Sequence, residues 1–296
     1  MGARPPSSGD LIAPARTSLE TPSGKDASYE NFPVGSWLLP RHLRPHIAVF
    51  YNFARAIDDI ADNPTLSADD KLLRLEAFDA AIVGGNSADP ALATAHRMRT
   101  SLATTKVSPD HCRDLITAFK QDAVKHRYAD WQDLIAYCRL SAAPVGRYLL
   151  DLHGGSEHGY AASDALCKAL QVINHLQDCQ EDYRLLDRVY LPQDWLQKEG
   201  TGVEELDAPV ASPGMRRVLD LCLDATADLL IEARRLPGGL RSRRLALESA
   251  VIVDIAQRLV ELLRQRDPLA GRVALSKAAY ASCLITGVCK GLLAYR

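Results

Sequence analysis

The sequence predicts an all-α fold, a single-domain helical bundle with a central site among facing side chains, on three observations. Apolar residues recur at three- and four-residue spacing along nearly the whole chain, the period of an amphipathic helix. No run of alternating strand character competes with them. Two of the helical segments also carry an unbroken polar stripe rich in carboxylates on the side away from their apolar residues, and long helices in a bundle can hold a site between such faces.

The helical segments fall at residues 41–62, 68–83, 90–105, 109–127, 131–153, 161–187, 213–235, 241–265 and 272–294. Their boundaries are set by Pro64, Gly84-Gly85, Gly154-Gly155, Gly200 to Gly202, Pro237-Gly238-Gly239 and Pro268, residues that end helices or supply turns. No period of 20 to 50 residues marks a repeat array, and no linker divides the chain. Residues 1–27 are rich in Pro, Ser and Gly without an apolar run, so they read as a disordered tail rather than a secretion signal, and residues 28–296 as the helical domain.

Composition narrows the function. Of 296 residues 47% are hydrophobic, enough for a substantial core. With 35 basic and 37 acidic residues and no basic arm, no nucleic acid partner is expected. The seven cysteines are scattered without a CxxC pair, which argues against a disulfide framework or a zinc site and favours a reducing, cytoplasmic setting. The longest uncharged stretch near the C-terminus, residues 278–289, is too short to span a bilayer, so any membrane contact would be peripheral, at the inner surface. Among the eight histidines only His42 and His46 share a helix-turn spacing, and they read as flanking the first long helix. No GxSxG signature suggests a nucleophilic serine.

The first stripe lies in "YNFARAIDDIAD". At about 100° per residue, Tyr51, Arg55, Asp58 and Asp62 fall within an arc of roughly 60°, while Val49, Phe50, Phe53, Ile57 and Ile60 cover the other side. The second lies in "LQVINHLQDCQEDYRLLDRVYLP", where Gln171, Asn174, Asp178 and Asp182 share about 80° of arc. Carboxylates one turn apart repel by roughly 0.2 to 0.5 kcal/mol, so each stripe calls for a compensating cation. Two solvated faces, with Arg55 and Arg184 as counterions, would explain them. So would a pair of stripes that face each other and hold Mg²⁺, which prefers oxygen ligands and completes its shell with water and phosphate oxygens. In the second case Arg55 adds a planar, fixed positive charge for the same anion. Tyr51 and Tyr137 are either core aromatics or ring faces that stabilise a cation. "SAAPVG", residues 141–146, either kinks the helix at 131–153 through its proline or shapes an apolar channel.

These two segments resemble the first and second aspartate-rich motifs of the squalene and phytoene synthase family of head-to-head isoprenoid enzymes. Between them, "FKQDAVKHRYADWQDLIAYCRLSAAPVG" is similar to the family's connecting segment, and the likeness extends over about residues 28–195 and more weakly beyond. The resemblance implies an isoprenoid-synthase fold with about three Mg²⁺ ions bridging a diphosphate between the motifs. It assigns Asp58, Asp62, Asn174, Asp178 and Asp182 to the metals, Arg55 and Tyr51 to the neighbourhood of the diphosphate, Gln171 and Tyr137 to the lining, and Lys277 to a C-terminal diphosphate contact.

Two departures narrow the resemblance. Condensing members of the family show Ser-x-Ser-Phe where this chain has Tyr29-Glu30-Asn31-Phe32, and an arginine where it has Gln177. Both changes remove diphosphate contacts. With "ENFPVGSWLLP" and "NHLQDCQEDYR" they resemble the bacterial hydroxysqualene synthase branch of squalene and hopanoid biosynthesis, which acts on one diphosphate. The expected chemistry is that of a carbon–oxygen lyase: ionisation of presqualene diphosphate, ring opening and capture by water, without NADPH. A partner presqualene diphosphate synthase would supply this lipophilic prenyl diphosphate. A condensing enzyme acting on farnesyl or geranylgeranyl diphosphate, and a catalytically silent scaffold of the same fold, are the alternatives.

Overall fold

The computed structural model describes Leu19 and residues 38–85, 89–156 and 159–294. The proposed tail, Leu19 apart, and the Tyr29-Glu30-Asn31-Phe32 stretch lie outside the described residues.

The described residues are helical almost throughout. The first half holds α1 (Arg44–Ala61), α2 (Ala68–Ile82), α3 (Ala93–Thr105, entered by a 3₁₀ turn at Pro90–Leu92) and α4 (Asp110–Asp122). Next come α5 (Trp131–Ser141), α6 (Ala143–Leu152), α7 (Ala161–Gln177) and α8 (Cys179–Leu186). A short α9 (Gln193–Lys198) precedes the long α10 (Pro213–Ala233), α11 (Arg243–Gln265) and α12 (Lys277–Ala294). Local chemistry explains several starts. Ser67, Asp130, Ser212 and Ser242 each accept a hydrogen bond from a backbone N–H in the first turn of α2, α5, α10 and α11. Pro45 and Pro213 sit in the first turn of α1 and α10, where no donor is required.

Apolar stripes facing inward give one continuous core. Phe53, Ile57 and Ile60 of α1 are fully buried, as are Phe78 of α2, Met98 of α3 and Tyr148 of α6, and the cluster runs on to Cys283 of α12. The ring of Phe50 stacks on Tyr148 with centroids 3.9 Å apart. Gly146 lets α6 approach α7 closely, because a Cβ there would collide with Ser163 Oγ and stand 2.6 Å from Cys167 Sγ.

Three expectations change. The helix predicted at 131–153 divides at Ala142 (φ −124°), just ahead of Pro144, which has no N–H to continue the ladder. The helix predicted at 161–187 breaks for one residue at Asp178 (φ −104°, ψ 7°). No Gly or Pro marks that bend; beside it the Gln177 amide donates to the Val273 carbonyl at 2.5 Å. The segment predicted as helix to residue 127 leaves α4 at Asp122, and β1 (Arg127–Tyr128) pairs in parallel with β2 (Val189–Pro192). All four β2 residues are buried, so no alternation announced the strand. Among the described residues no helix is long and apolar enough to cross a membrane.

Candidate active site

The two acidic stripes meet. A cavity of ≈ 580 Å³ is lined by Tyr51, Arg55, Asp58 and Asp62 from one side and by Gln171, Asn174, Asp178 and Asp182 from the other. Asp122 of α4 and Tyr137 and Ser141 of α5 also line it, with Arg188 and Tyr190 around β2 and the segment Pro268 to Arg272. The solvated-face explanation of the stripes is thereby excluded as the whole account. The bend at Asp178 keeps the second stripe in the cavity wall: Asp178 N–H still donates to Asn174 O at 2.9 Å, and Asp182 N–H to Asp178 O at 2.8 Å.

The first acidic stripe is held by two arginines. Arg55 Nη1 donates to Asp58 Oδ2 at 2.6 Å, and its guanidinium lies 6.0 Å from the centre of the Tyr51 ring. Arg188 Nη1 donates to Asp62 Oδ1 at 2.5 Å while Nη2 reaches the Ala61 carbonyl at 3.0 Å. These two cations leave negative charge in excess. Burial and the neighbouring Asp62 hold the Asp58 carboxyl well above the usual carboxylate range, against the pull of Arg55. Burial, Asp178 and Asp62 push Asp182 up to about 8. A hard divalent cation between the stripes would relieve that repulsion, and the donor set of four carboxylates and an amide is all oxygen, as such a cation prefers. Among the described residues no three His, Cys, Asp or Glu side chains converge into a ready-made metal cage.

Behind the stripes lies a polar-aromatic floor. Tyr137, nearly fully buried, donates its hydroxyl to Asp122 Oδ2 at 2.7 Å, and Tyr190 reaches Asp122 Oδ1 at 3.5 Å. Burial raises Asp122 to about 7, opposed by Arg188 and by the Tyr137 hydrogen bond. His175 stacks on Tyr190 with centroids 3.5 Å apart, and Gln171 Nε2 lies 3.1 Å from its Nε2. Burial and Arg188 press His175 down to about 3, so this ring is neutral at physiological pH. The hydroxyl of Ser141 is buried and has no hydrogen-bond partner among the described residues.

Lys277 stands apart from the other sequence-derived site residues. It is exposed at the start of α12 and outside the cavity lining, where the basic residue from this region is Arg272. Arg188, Asp122, Tyr190, His175 and Ser141 are the residues that motif spacing did not single out. Arg188 and Tyr190 belong to the "RVYLP" ending of the second motif, and only the β1–β2 pairing shows why that ending returns to the cavity.

Residues 25–279 match the sequence profile of the family described as squalene/phytoene synthase. The chain belongs to the squalene/phytoene synthase family. Relatives within the squalene/phytoene synthase family include the hydroxysqualene synthase of Rhodopseudomonas palustris, 47% identical over 88% of both chains. That of Zymomonas mobilis is 40% identical over 86% of both. Among solved structures, squalene synthase HpnC from Alicyclobacillus acidocaldarius aligns with a TM-score of 0.68 at 33% identity, covering 78% of this chain and 87% of its own. A dehydrosqualene synthase at 20% identity and a TM-score of 0.75, covering 90% of this chain and 92% of its own, shares the fold. The helical bundle is thus the fold of squalene/phytoene synthase family enzymes, and the facing acidic stripes occupy its central cavity.

Proposed function

We propose that the protein is a hydroxysqualene synthase, a carbon–oxygen lyase that converts presqualene diphosphate and water to hydroxysqualene and diphosphate. The observation that carries this reading is the pair of acidic stripes facing each other across one cavity, in a chain whose relatives at 40–47% identity bear that name.

Asp58, Asp62, Asn174, Asp178 and Asp182 are the residues that would hold Mg²⁺. When bound, the metal supplies Lewis-acid stabilisation of the departing diphosphate oxygens. Arg55 and Arg272, both in the cavity lining, would present guanidinium groups to the same anion, and Arg188 fixes Asp62. Once diphosphate leaves the cyclopropylcarbinyl carbon, the ring of Tyr137 in the cavity lining would border the carbocation. Water then adds to the rearranged cation, and the proton it sheds passes to solvent through hydroxyl groups of the cavity. Ser141 and Tyr137 are placed to orient that water: one has a buried hydroxyl in the lining, the other keeps oxygen lone pairs while donating to Asp122.

Gln177 supports a single-diphosphate substrate. Its amide is spent on the Val273 carbonyl, so this position contributes no cation to the cavity. No nicotinamide is needed for capture by water. The test is incubation with presqualene diphosphate and Mg²⁺, without NADPH, in ¹⁸O-labelled water, followed by mass spectrometry. Labelled hydroxysqualene is the expected product. Turnover of farnesyl diphosphate with none of presqualene diphosphate would move the protein to the condensing branch.

A further inference from the structure

Gln171 and His175 stand one turn apart on α7, and both line the acidic cavity. Gln171 Nε2 lies 3.1 Å from His175 Nε2. Two nitrogens bond only if one donates and the other contributes a lone pair, and a carboxamide nitrogen has none to give. The amide is therefore the donor and the imidazole the acceptor, with the ring proton on Nδ1. This bond fixes which way the amide faces. Its nitrogen is turned to His175, and its oxygen, Oε1, has no hydrogen-bond partner among the described residues. Gln171 is half-buried and that oxygen is not sealed in protein, so a fixed acceptor opens on the cavity.

The ring that holds the amide is itself held. His175 is 8% exposed and lies flat on Tyr190, with centroids 3.5 Å and planes 13° apart. Tyr190 is a buried residue of β2 that also packs against Tyr128 and Tyr137, at centroid distances of 5.4 and 5.7 Å. Such stacking restricts the rotation of the imidazole. Along the helix Gln171 comes seven residues before Asp178, about 10 Å at helical rise, so it stands away from the carboxylates at the other end of the stripe.

We propose that Gln171 is a catalytic residue of water capture and His175 its positioning residue. The Gln171 oxygen accepts a hydrogen bond from the water that adds to the rearranged cation, and His175 keeps that oxygen, rather than the amide nitrogen, turned to the cavity. The inference rests on the hydroxysqualene synthase reading. An acceptor leaves both lone pairs of the water free for the carbon, whereas an N–H donor in the same place would occupy one of them. In the step, the water oxygen bonds to the cationic carbon and one O–H proton leaves for solvent. The amide takes no proton, and nothing is oxidised or reduced. A water held a turn or more from the metal-seeking end favours capture after the ring opens over capture at the carbon that lost diphosphate.

Product partition tests the assignment. Presqualene diphosphate, Mg²⁺ and ¹⁸O-labelled water are incubated with each protein, and hydroxysqualene is measured per diphosphate released, so a slower enzyme does not alter the readout. In Gln171→Met the ratio of hydroxysqualene to cyclopropyl alcohols and hydrocarbons falls about tenfold, the effect of one hydrogen bond lost from the capture transition state. His175→Phe can still stack on Tyr190 but offers no lone pair, and the ratio falls about threefold. His175→Gln, whose oxygen reaches the place of Nε2, restores about half of the wild-type ratio or more, and His175→Asn, which reaches only the place of Nδ1, does not. Gln171→Met gains melting temperature with Mg²⁺ and inorganic diphosphate as the wild type does. A wild-type ratio in Gln171→Met, or equal ratios in His175→Gln and His175→Asn, would overturn the proposal. So would loss of the melting-temperature gain in Gln171→Met, which would put the amide on the diphosphate instead. A wild type that forms no labelled hydroxysqualene would overturn the functional reading together with this one.

Discussion

Arg188 and Asp62 are 126 residues apart in sequence and meet at 2.5 Å, joining the chain that follows the second acidic stripe to the end of the first. The Arg188 side chain is 6% exposed and Asp62 38%, so the pair sits at the inner edge of the cavity, half in water. Arg188→Ala leaves Asp62 beside the other carboxylates and the Ala61 carbonyl without its partner. The expected cost is about 1–3 kcal/mol of stability in urea unfolding, below that of a fully buried pair because Asp62 is solvated, together with a large loss of turnover.

Asp178→Asn separates function from folding. The substitution removes a carboxylate proposed to hold Mg²⁺ and also relieves the repulsion that raises Asp182. Turnover should fall by about 100-fold or more while the melting temperature stays at or above the wild-type value. Normal turnover with Mg²⁺ would return the stripes to a purely structural role.

Magnesium with inorganic diphosphate should raise the melting temperature. A ligand that binds only the folded form adds about 2.7 kcal/mol at a hundred times its dissociation constant. The wild-type protein should show the rise with both components present and little with diphosphate alone. Asp58→Asn and Asp178→Asn should lose it, as read by scanning calorimetry.

Stability should fall as pH rises toward neutrality, in part through Asp122. Its carboxyl is raised from 3.8 to about 7 by burial, so the folded state retains a proton that the unfolded state has released. A folded-state pKa above the unfolded one gives a contribution that is complete below pH 3.8 and lost as pH climbs through about 7. Asp122→Asn keeps a partner for the Tyr137 hydroxyl and cannot ionise. It should flatten the decline in melting temperature between about pH 4 and 7, and an unchanged slope would assign the decline to other groups.

The fold class was legible because almost every helix buries one stripe, and the site because its charges repeat at one helical turn on two helices. Spacing put Asp58 and Asp62 on one stripe and Asn174, Asp178 and Asp182 on another, and all five line one cavity. It could not show Arg188 or Tyr190, whose positions depend on Val189 N–H pairing with His126 O far back in the chain. Nor could it locate the bend at Asp178, which has no Gly or Pro and lies beside a side-chain bond from Gln177 to Val273. The weak C-terminal resemblance pointed to Lys277, whereas Arg272, before α12 begins, is the residue that reaches the cavity. Asp122 reads as an ordinary solvent-facing helix-end residue until the tertiary fold buries it.

The 126-residue span between Asp62 and Arg188 also orders events in time. Helices such as α1 and α11 rest on contacts a few residues apart and form early, whereas closing a loop of that length must wait for the intervening bundle. A refolding chain would therefore regain its circular dichroism before it regains the proposed affinity for Mg²⁺ and diphosphate. The cavity's charges would come together last, after the greasy faces of the helices are already covered.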